Sequence, residues 1–600
     1  MPNYTPPLDE ILFTLREVTN YPELNSLDNF SHVSEDLVEA ILNEAGKLAS
    51  GPIAEINHSG DKEGSIIENG LVKTPLGFKE AYKKFVDGGW NGISFPESIG
   101  GQNMPFSLGL SVSEFFTSAN MAFSLCPLLT SGAVEALSAH ASDELKNKYL
   151  LKLVSGEWTG TMNLTEPQAG SDVGALTTKA VPNNDGSYNI YGTKIYITYG
   201  DHDLSENIIH LVLARTPDSP SGTKGISLFL VPKFIVNEEG VLGEKNDLRC
   251  SSLEKKLGIH ASPTAVMLYG EKVGARGWLV GEINQGMRCM FTMMNHARID
   301  VGLQGLSISE RSYQQALDFS FSRKQGKSTS IKSKEAVSII EHPDVKRMIL
   351  DMKSKIDAMR GLILTTGVYC DLGKHHSDEQ KRNLYNELVD LLTPIVKSWC
   401  TDIGFDSAST GLQVHGGMGF IEETGAAQFL RDSRIAPIYE GTNGIQALDL
   451  VFRKLNQSGG LAVKYLFNDI KKLILDLDSI ENEDFLIIAN LLQQSLDAIE
   501  KSTDWINSKI TEDYDAAASN ASLFLDSFGV LLGGYYLSKA ALVSYKKIEE
   551  EKANSSFYIN KILIARFFSE QNLPKVINSL ISIKAGSTAL NSVDFKNFGG

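Results

Sequence analysis

Apolar residues recur at helical spacing from Leu37 through Val38, Ile41, Leu42, Ala45 and Leu48. Ser34 stands where it can cap this run, and Gly51-Pro52 stops it. The pattern predicts an amphipathic helix, whereas residues 1 to about 33 show no period and read as irregular, Pro-rich at the start. Helical spacing resumes at GFKEAYKKFVDGG and continues to about residue 155, broken by loops such as FPESIGGQNMP. The period then shortens to that of strands. SYNIYGTKIYIT alternates and is rich in β-branched and aromatic residues, after the turn signal PNNDG. NIIHLVLART, GISLFLVP and TAVMLYG follow as short strands bounded by Gly, Pro and Asp. Long helical segments return from about residue 283 to about 455. NQSGG (456–460) reads as a linker, and beyond it lie four or so more helical stretches, including DFLIIANLLQQSLDAIEKSTDWI and ASLFLDSFGVLLGGYYLSKAALVSYKKI.

The predicted division is an N-terminal segment and helical domain over 1–157, a β domain over 158–275, a helical bundle over 276–456 and a helical extension over 457–600. The fold class is mostly α with a central β domain. Six hundred residues exceed what one hydrophobic core supports, so several packed domains are expected.

Composition narrows the class. The chain is 42% hydrophobic and 22% charged, as in ordinary soluble globular proteins. No run of eighteen or more uninterrupted apolar residues occurs, which argues against a spanning helix. MPNYTPPLDEILFTLREV has neither the basic and apolar regions of a signal peptide nor the Arg-rich character of a transit peptide. Cys126, Cys250, Cys289, Cys370 and Cys400 are odd in number and form no CxxC, so a reducing, cytoplasmic setting is expected. A formal charge of −17 weighs against nucleic acid and anionic membrane as main partners. Any anionic ligand would need particular Arg side chains and backbone N–H groups to overcome that field.

No GxGxxG joins a strand to a helix, and neither GxxxxGK[ST] nor HExxH occurs. Three other segments carry chemistry. TMNLTEPQAGSDVGALTTKA (161–180) is a loop of hydroxyls and free N–H groups suited to a polar ring edge or a phosphate; alone it is also an ordinary surface loop. GLQVHGGMGF (411–420) offers paired glycines for close backbone approach, and IYEGTNG sets Glu440 between Ile438-Tyr439 and a Gly-Thr turn. A carboxylate so placed can serve as a base near neutrality, or it can be a helix-start Glu beside an N-cap Thr. NHARIDVGLQGLSISERSYQQALDFSFSRKQGKS (295–328) carries Arg298 and Arg323 on what reads as one long helix, with Gly302 and Gly305 permitting close packing. Taken in isolation, either Arg reads as a solvated surface cation.

Together, on this helical–β–helical background, TEPQAGSDV, KIYIT, SRKQG, QVHGGMGF and YEGT resemble the acyl-CoA dehydrogenase family over residues 75–455. The flanking segments resemble its long bacterial subgroup. The resemblance implies an N-terminal helical domain, a β-barrel-like middle domain, a C-terminal helical bundle and a helical extension. It implies FAD as cofactor, acyl-CoA as substrate, electron-transferring flavoprotein as acceptor and a homo-oligomer, at least a dimer. Glu440 matches the base that takes the substrate α-proton while the β-hydride passes to the flavin. Met162, Leu164, Thr165, Ser171, Tyr196, Thr198 and Thr442 match FAD contacts, and Arg323, Gln413 and Gly417 match contacts to the FAD of a neighbouring subunit. Ser171, Asn295, Arg298 and Gly441 match substrate positions. Gln168, Gln325-Gly326 and Gly444 depart from the usual family residues. Ala297 stands where a minority of members place the catalytic Glu, which leaves Glu440 alone in that role.

Two rival activities stay open at this stage, an acyl-CoA oxidase using oxygen and a non-catalytic DNA-binding relative, the latter opposed by the charge. A nitroalkane-oxidising relative would carry Asp at position 440. The resemblance also implies that residues 122–131 (AFSLCPLLTS) lie at the floor of an acyl pocket. The apolar FGVLLGGYYL (528–537) is expected to be buried helix core rather than a membrane attachment.

Overall fold

The computed structural model describes residues 4–551 and 556–598. It divides into two compact units: Met1–Pro6, Glu35–Asp300 and Ala427–Ile435 form the first, and Pro7–Ser34, Val301–Ala426 and Ala436–Gly600 the second.

In the first unit, the helix predicted from Ser34 spans Glu35–Leu48 and runs on through a wider turn, Ala49–Ile53, that accommodates Pro52. Val38, Leu42 and Ala45 are its buried face. A two-stranded hairpin, Ile66–Glu68 with Leu71–Lys73, then turns on Asn69 and Gly70, both at positive φ (53° and 76°). Helices Asn57–Glu63, Phe78–Asp87, Phe106–Ala119, Met121–His140 and Asp143–Ser155 belong to the same helical part. Asn120 and Ser142 cap the last two by accepting from Phe123 N and Leu145 N, and Gly156 ends the last at φ +81°.

Among the described residues the β part comprises an eight-stranded sheet and a separate two-stranded one, Phe234–Val236 with Leu242–Lys245. The order in the larger sheet is Leu248–Leu253, Thr264–Tyr269, Tyr188–Thr198, Ala275–Val280, Ser227–Pro232, Ile208–Ala214 and Thr159–Asn163, with Lys179–Pro182 also paired to Tyr188–Thr198. The last pair in the order is parallel and the others are antiparallel. Every residue of Ile208–Ala214 and Ser227–Pro232 is buried, which explains their largely apolar runs, with His210 and Ser227 as the polar exceptions. The sheet curls: the Thr161 hydroxyl donates to Thr198 O (2.7 Å) and the Tyr269 hydroxyl to Asn163 Oδ1 (2.7 Å). Thr159–Asn163 lies against the helix Met121–His140 through Gly160, where a Cβ would stand 2.4 Å from Ala133 Cβ.

Two expectations change here. Residues 161–163 belong to an edge strand rather than to the loop, because their backbone pairs with His210–Val212. The last strand ends at Val280, beyond the boundary of 275.

The second unit is helical. Its bundle comprises the C-terminal part of the helix Gly286–Ser322, with Pro343–His375 and Glu379–Val414. Gly302 and Gly305 do permit close packing: a Cβ at either would meet Val396 at 2.5 Å or Cys400 O at 2.1 Å. The N-terminal residues are not wholly irregular, since Leu8–Phe13 and Tyr21–Leu24 are helical in this unit. After a kink at Ser458, Gly459 and Gly460, all at positive φ, the extension folds as Leu461–Asp478, Glu483–Glu512, Tyr514–Glu551, Ser556–Gln571 and Leu573–Ile583.

Among the described residues two helices, Met121–His140 and Tyr514–Glu550, are long and apolar enough to cross a membrane, but most of each apolar window is buried inside the fold. In the second of these, Phe528, Leu531, Leu532 and Tyr536 are buried. Gly529 is the closest approach, with a Cβ there only 2.3 Å from Trp399 Cγ. The apolar FGVLLGGYYL stretch is therefore a packed helix face.

Candidate functional site

The segment from Leu164 to Thr178 is shaped by one carboxylate. Glu166 accepts from the Thr177 N–H (2.7 Å) and hydroxyl (2.8 Å), the Thr178 N–H (3.0 Å) and hydroxyl (2.5 Å), and Gln168 Nε2 (2.7 Å). Lys194 Nζ, wholly buried, donates to Glu166 Oε1 (2.8 Å) and Leu164 O (2.9 Å). Burial opposes the carboxylate, but the Lys194 charge and these hydrogen bonds outweigh it and hold Glu166 down to about 2. Burial dominates for Lys194, which receives less in return and is lowered to about 8. Neither residue was singled out from the sequence, although Glu166 sits inside the TEPQAGSDV motif.

The same strand explains Tyr196. Lys194 pairs with Met267 and Ile197 with Ala265, so Ile195 and Tyr196 together face the single residue Val266. This bulge takes Tyr196 to φ +60° and turns its ring outward, 60% exposed, while Lys194 and Ile197 point inward. Ile195 N donates to Thr165 O (2.9 Å), which fixes the loop beside the bulge. Met162, Leu164, Thr165, Tyr196 and Thr198 are thus brought together, with Met162 buried and Leu164, Thr165 and Thr198 half-buried. Ser171 lies farther along the loop and is exposed. On the helix Gly286–Ser322, Asn295 is exposed and Arg298 buried, so Arg298 is no solvated cation. Ala297 is buried too.

In the second unit Glu440 stands outside any helix. Its φ is +56° and that of Gly441 is +85°, a pair of left-handed residues at the tip of a hairpin closed by Asn443 N donating to Pro437 O (3.0 Å). Thr442 caps the helix Asn443–Asp449, its hydroxyl accepting from Ile445 N (3.3 Å). The helix-start Glu beside an N-cap Thr is therefore half right: the Thr caps, and the Glu is held apart in a strained turn. Tyr439 donates to the buried Gln304, and burial together with the Glu440 charge pushes its phenol upward.

Arg323 follows the last residue of its helix instead of lying on it, because the chain folds back there: Ile339 N donates to Arg323 O (2.8 Å). Its side chain is exposed. Gln413 and Gly417 are exposed near the end of Glu379–Val414, and a Cβ at Gly417 would meet nothing within 4 Å. The two helix ends adjoin, as Phe319 stacks on His415 with centroids 4.5 Å apart. Among the described residues no group of His, Cys, Asp and Glu could hold a metal ion.

Along the chain a helical domain precedes a curled sheet with a hydroxyl-rich loop, and a helical bundle with a carboxylate on a left-handed turn follows. Four family models match in the same order: the acyl-CoA dehydrogenase N-terminal domain over 64–157, middle domain over 161–272 and C-terminal domain over 284–455, then an acetyl-CoA dehydrogenase C-terminal-like domain over 466–594. The chain belongs to the acyl-CoA dehydrogenase family. Over 570 residues it is 44% identical to the 3-methylmercaptopropionyl-CoA dehydrogenase of Ruegeria pomeroyi, covering 95% of this chain and 96% of that one. Its fold is similar to Caenorhabditis elegans ACDH-11 in complex with C11-CoA, with a TM-score of 0.75, 20% identity and coverage of 95% and 92%. It is also similar to a Bacillus anthracis acyl-CoA dehydrogenase complexed with FAD, with a TM-score of 0.72, 20% identity and coverage of 96% and 93%.

Proposed function

We propose that this enzyme oxidises acyl-CoA thioesters to trans-2-enoyl-CoA with Glu440 as the base. The observation that carries the assignment is the backbone of Glu440, a non-glycine residue at φ +56° beside Gly441 on a tethered hairpin. Strain of this kind persists where a side chain must be aimed, and it clusters at active sites.

The donor set suits FAD. The first unit offers the hydroxyls of Thr165, Ser171 and Thr198 and the outward ring of Tyr196. To the FAD of a neighbouring subunit the second offers the Arg323 cation, the Gln413 amide and the open backbone at Gly417, and Thr442 follows the base. Met162 and Leu164 supply apolar contact. When bound, FAD supplies the acceptor for the substrate's β-hydride. Glu440 takes the α-proton, and its own N–H is the donor for the thioester oxygen on which negative charge develops. Ser171, Asn295 and Arg298 in the first unit are substrate positions, as is Gly441 beside the base, and Ala297 offers no competing carboxylate. The apolar character of residues 122–131 on Met121–His140 suits an unbranched aliphatic chain.

Electron-transferring flavoprotein is the acceptor and the cytoplasm the setting. A homodimer accords with the exposed apolar side chains of Phe321, Met418, Phe420 and Ile421, which lie close in sequence to Arg323, Gln413 and Gly417. The decisive experiment is anaerobic stopped-flow bleaching of the flavin by a saturating acyl-CoA. Glu440→Gln should bind FAD and substrate yet reduce flavin at least about a thousandfold more slowly. Near-normal bleaching would withdraw the assignment, and stoichiometric oxygen uptake by the wild type would make it an oxidase.

A further inference from the structure

The left-handed pair Glu440-Gly441 needs support from its surroundings, since the Glu440 Cβ crowds the following carbonyl oxygen in that conformation. The support comes from beneath the hairpin. Lys397 is wholly buried in the helix Glu379–Val414, and its ammonium donates to Asn443 Oδ1 (2.8 Å). Asn443 Nδ2 donates to Ser398 O (3.2 Å) and Thr401 Oγ1 (3.1 Å), while Asn443 N closes the hairpin on Pro437 O. From the other side the buried Gln446 donates to Glu440 O (3.4 Å) and Gly441 O (3.3 Å). Asp402 adjoins this network. Burial raises its carboxyl to about 6, although a hydrogen bond with Asn443 and the Lys397 charge pull the other way.

A buried ammonium is a costly way to fill space, and an aliphatic side chain would pack there without desolvating a charge. Directional anchoring of a hairpin is what the ammonium adds. We propose that Lys397 and Asn443 are positioning residues for Glu440, fixing the turn that aims its carboxylate at the substrate α-carbon. The proposal rests on Glu440 being the base.

The test uses the FAD-loaded enzyme carrying Asn443→Ala, Lys397→Met or both, with Glu440→Gln alongside. Flavin content, half-saturation by acyl-CoA, the anaerobic reduction rate and its isotope effect with α-deuterated substrate are measured. Each single variant should reduce flavin about 10²-fold more slowly, the effect of aiming a reacting group about 1 Å off. The isotope effect should rise as proton transfer becomes slower, and flavin content and half-saturation should hold within about twofold, as expected if binding is untouched. The double variant should be no slower than Asn443→Ala alone, because Lys397 reaches the turn through Asn443. If Lys397→Met fails to fold, Asn443→Ala, at a half-buried position, decides alone. An unchanged isotope effect, or rates that fall only in step with flavin content, would overturn the positioning role. A slow Glu440→Gln with a normal Asn443→Ala would remove that role alone, whereas a fast Glu440→Gln would remove the base assignment beneath it.

Discussion

Lys194 and Glu166 form an ion pair 2.8 Å long in which neither side chain is more than 2% exposed. Removing one partner would strand the other in a dry interior, a loss of about 3–5 kcal/mol. Lys194→Met should therefore lower the unfolding free energy by that order, read by urea titration. The paired replacement Lys194→Met with Glu166→Gln should recover part of the loss. If the pair is no better than the single variant, the Thr177 and Thr178 hydrogen bonds, not the ion pair, set the loop.

Acid should loosen the same loop. The Glu166 carboxyl is held at about 2 against an ordinary 4.5, so between these values the unfolded chain binds more protons than the folded one. The contribution is complete above pH 4.5 and fades as pH falls toward 2. The thermal midpoint of Glu166→Gln should be lower than wild type at pH 7, with the gap narrowing across that window. A gap independent of pH would exclude this carboxylate as the titrating group.

Arg323→Ala should release FAD more readily with little change in fold, since a cation that pairs with phosphate would be lost from an exposed position. Equilibrium dialysis after refilling the apoenzyme measures it. Full flavin retention with only a lowered melting temperature would make Arg323 structural.

Gly529→Val should destabilise the second unit by about 1–3 kcal/mol through overpacking, because its Cβ alone would fall 2.3 Å from Trp399. A chain ending near residue 456 should aggregate, since Trp399, Ala358 and Gly361 would lose the helix Tyr514–Glu551 as cover. A stable, fully active truncated enzyme would show that the extension is peripheral.

The segment classes were legible because long periodic stretches such as Pro343–His375 and buried runs such as Ile208–Ala214 carry their own signal. The hairpin at Asn69-Gly70 had its turn dipeptide in view, but its two strands are three residues each and mostly exposed, so no alternation announced them. The helix Leu8–Phe13 is only six residues long, and its Glu10 is tied to Lys353 and Lys561 hundreds of positions away. Tyr196 and Glu440 could be chosen by motif, yet their positive φ could not. The bulge at Tyr196 depends on the strand Thr264–Tyr269, and the turn at Glu440 on Lys397. Glu166 was overlooked for the same reason: its lysine comes 28 positions later.

The extension's contact with Trp399 also has a kinetic consequence. A separate subunit covering that surface would leave on dilution, at a concentration set by its dissociation constant. Here the covering helix is tethered through residues 456–460, so its return is unimolecular and its local concentration is set by the linker rather than by how much protein the solution holds. Burial of Trp399 should therefore be indifferent to dilution, even where any association between whole chains is not.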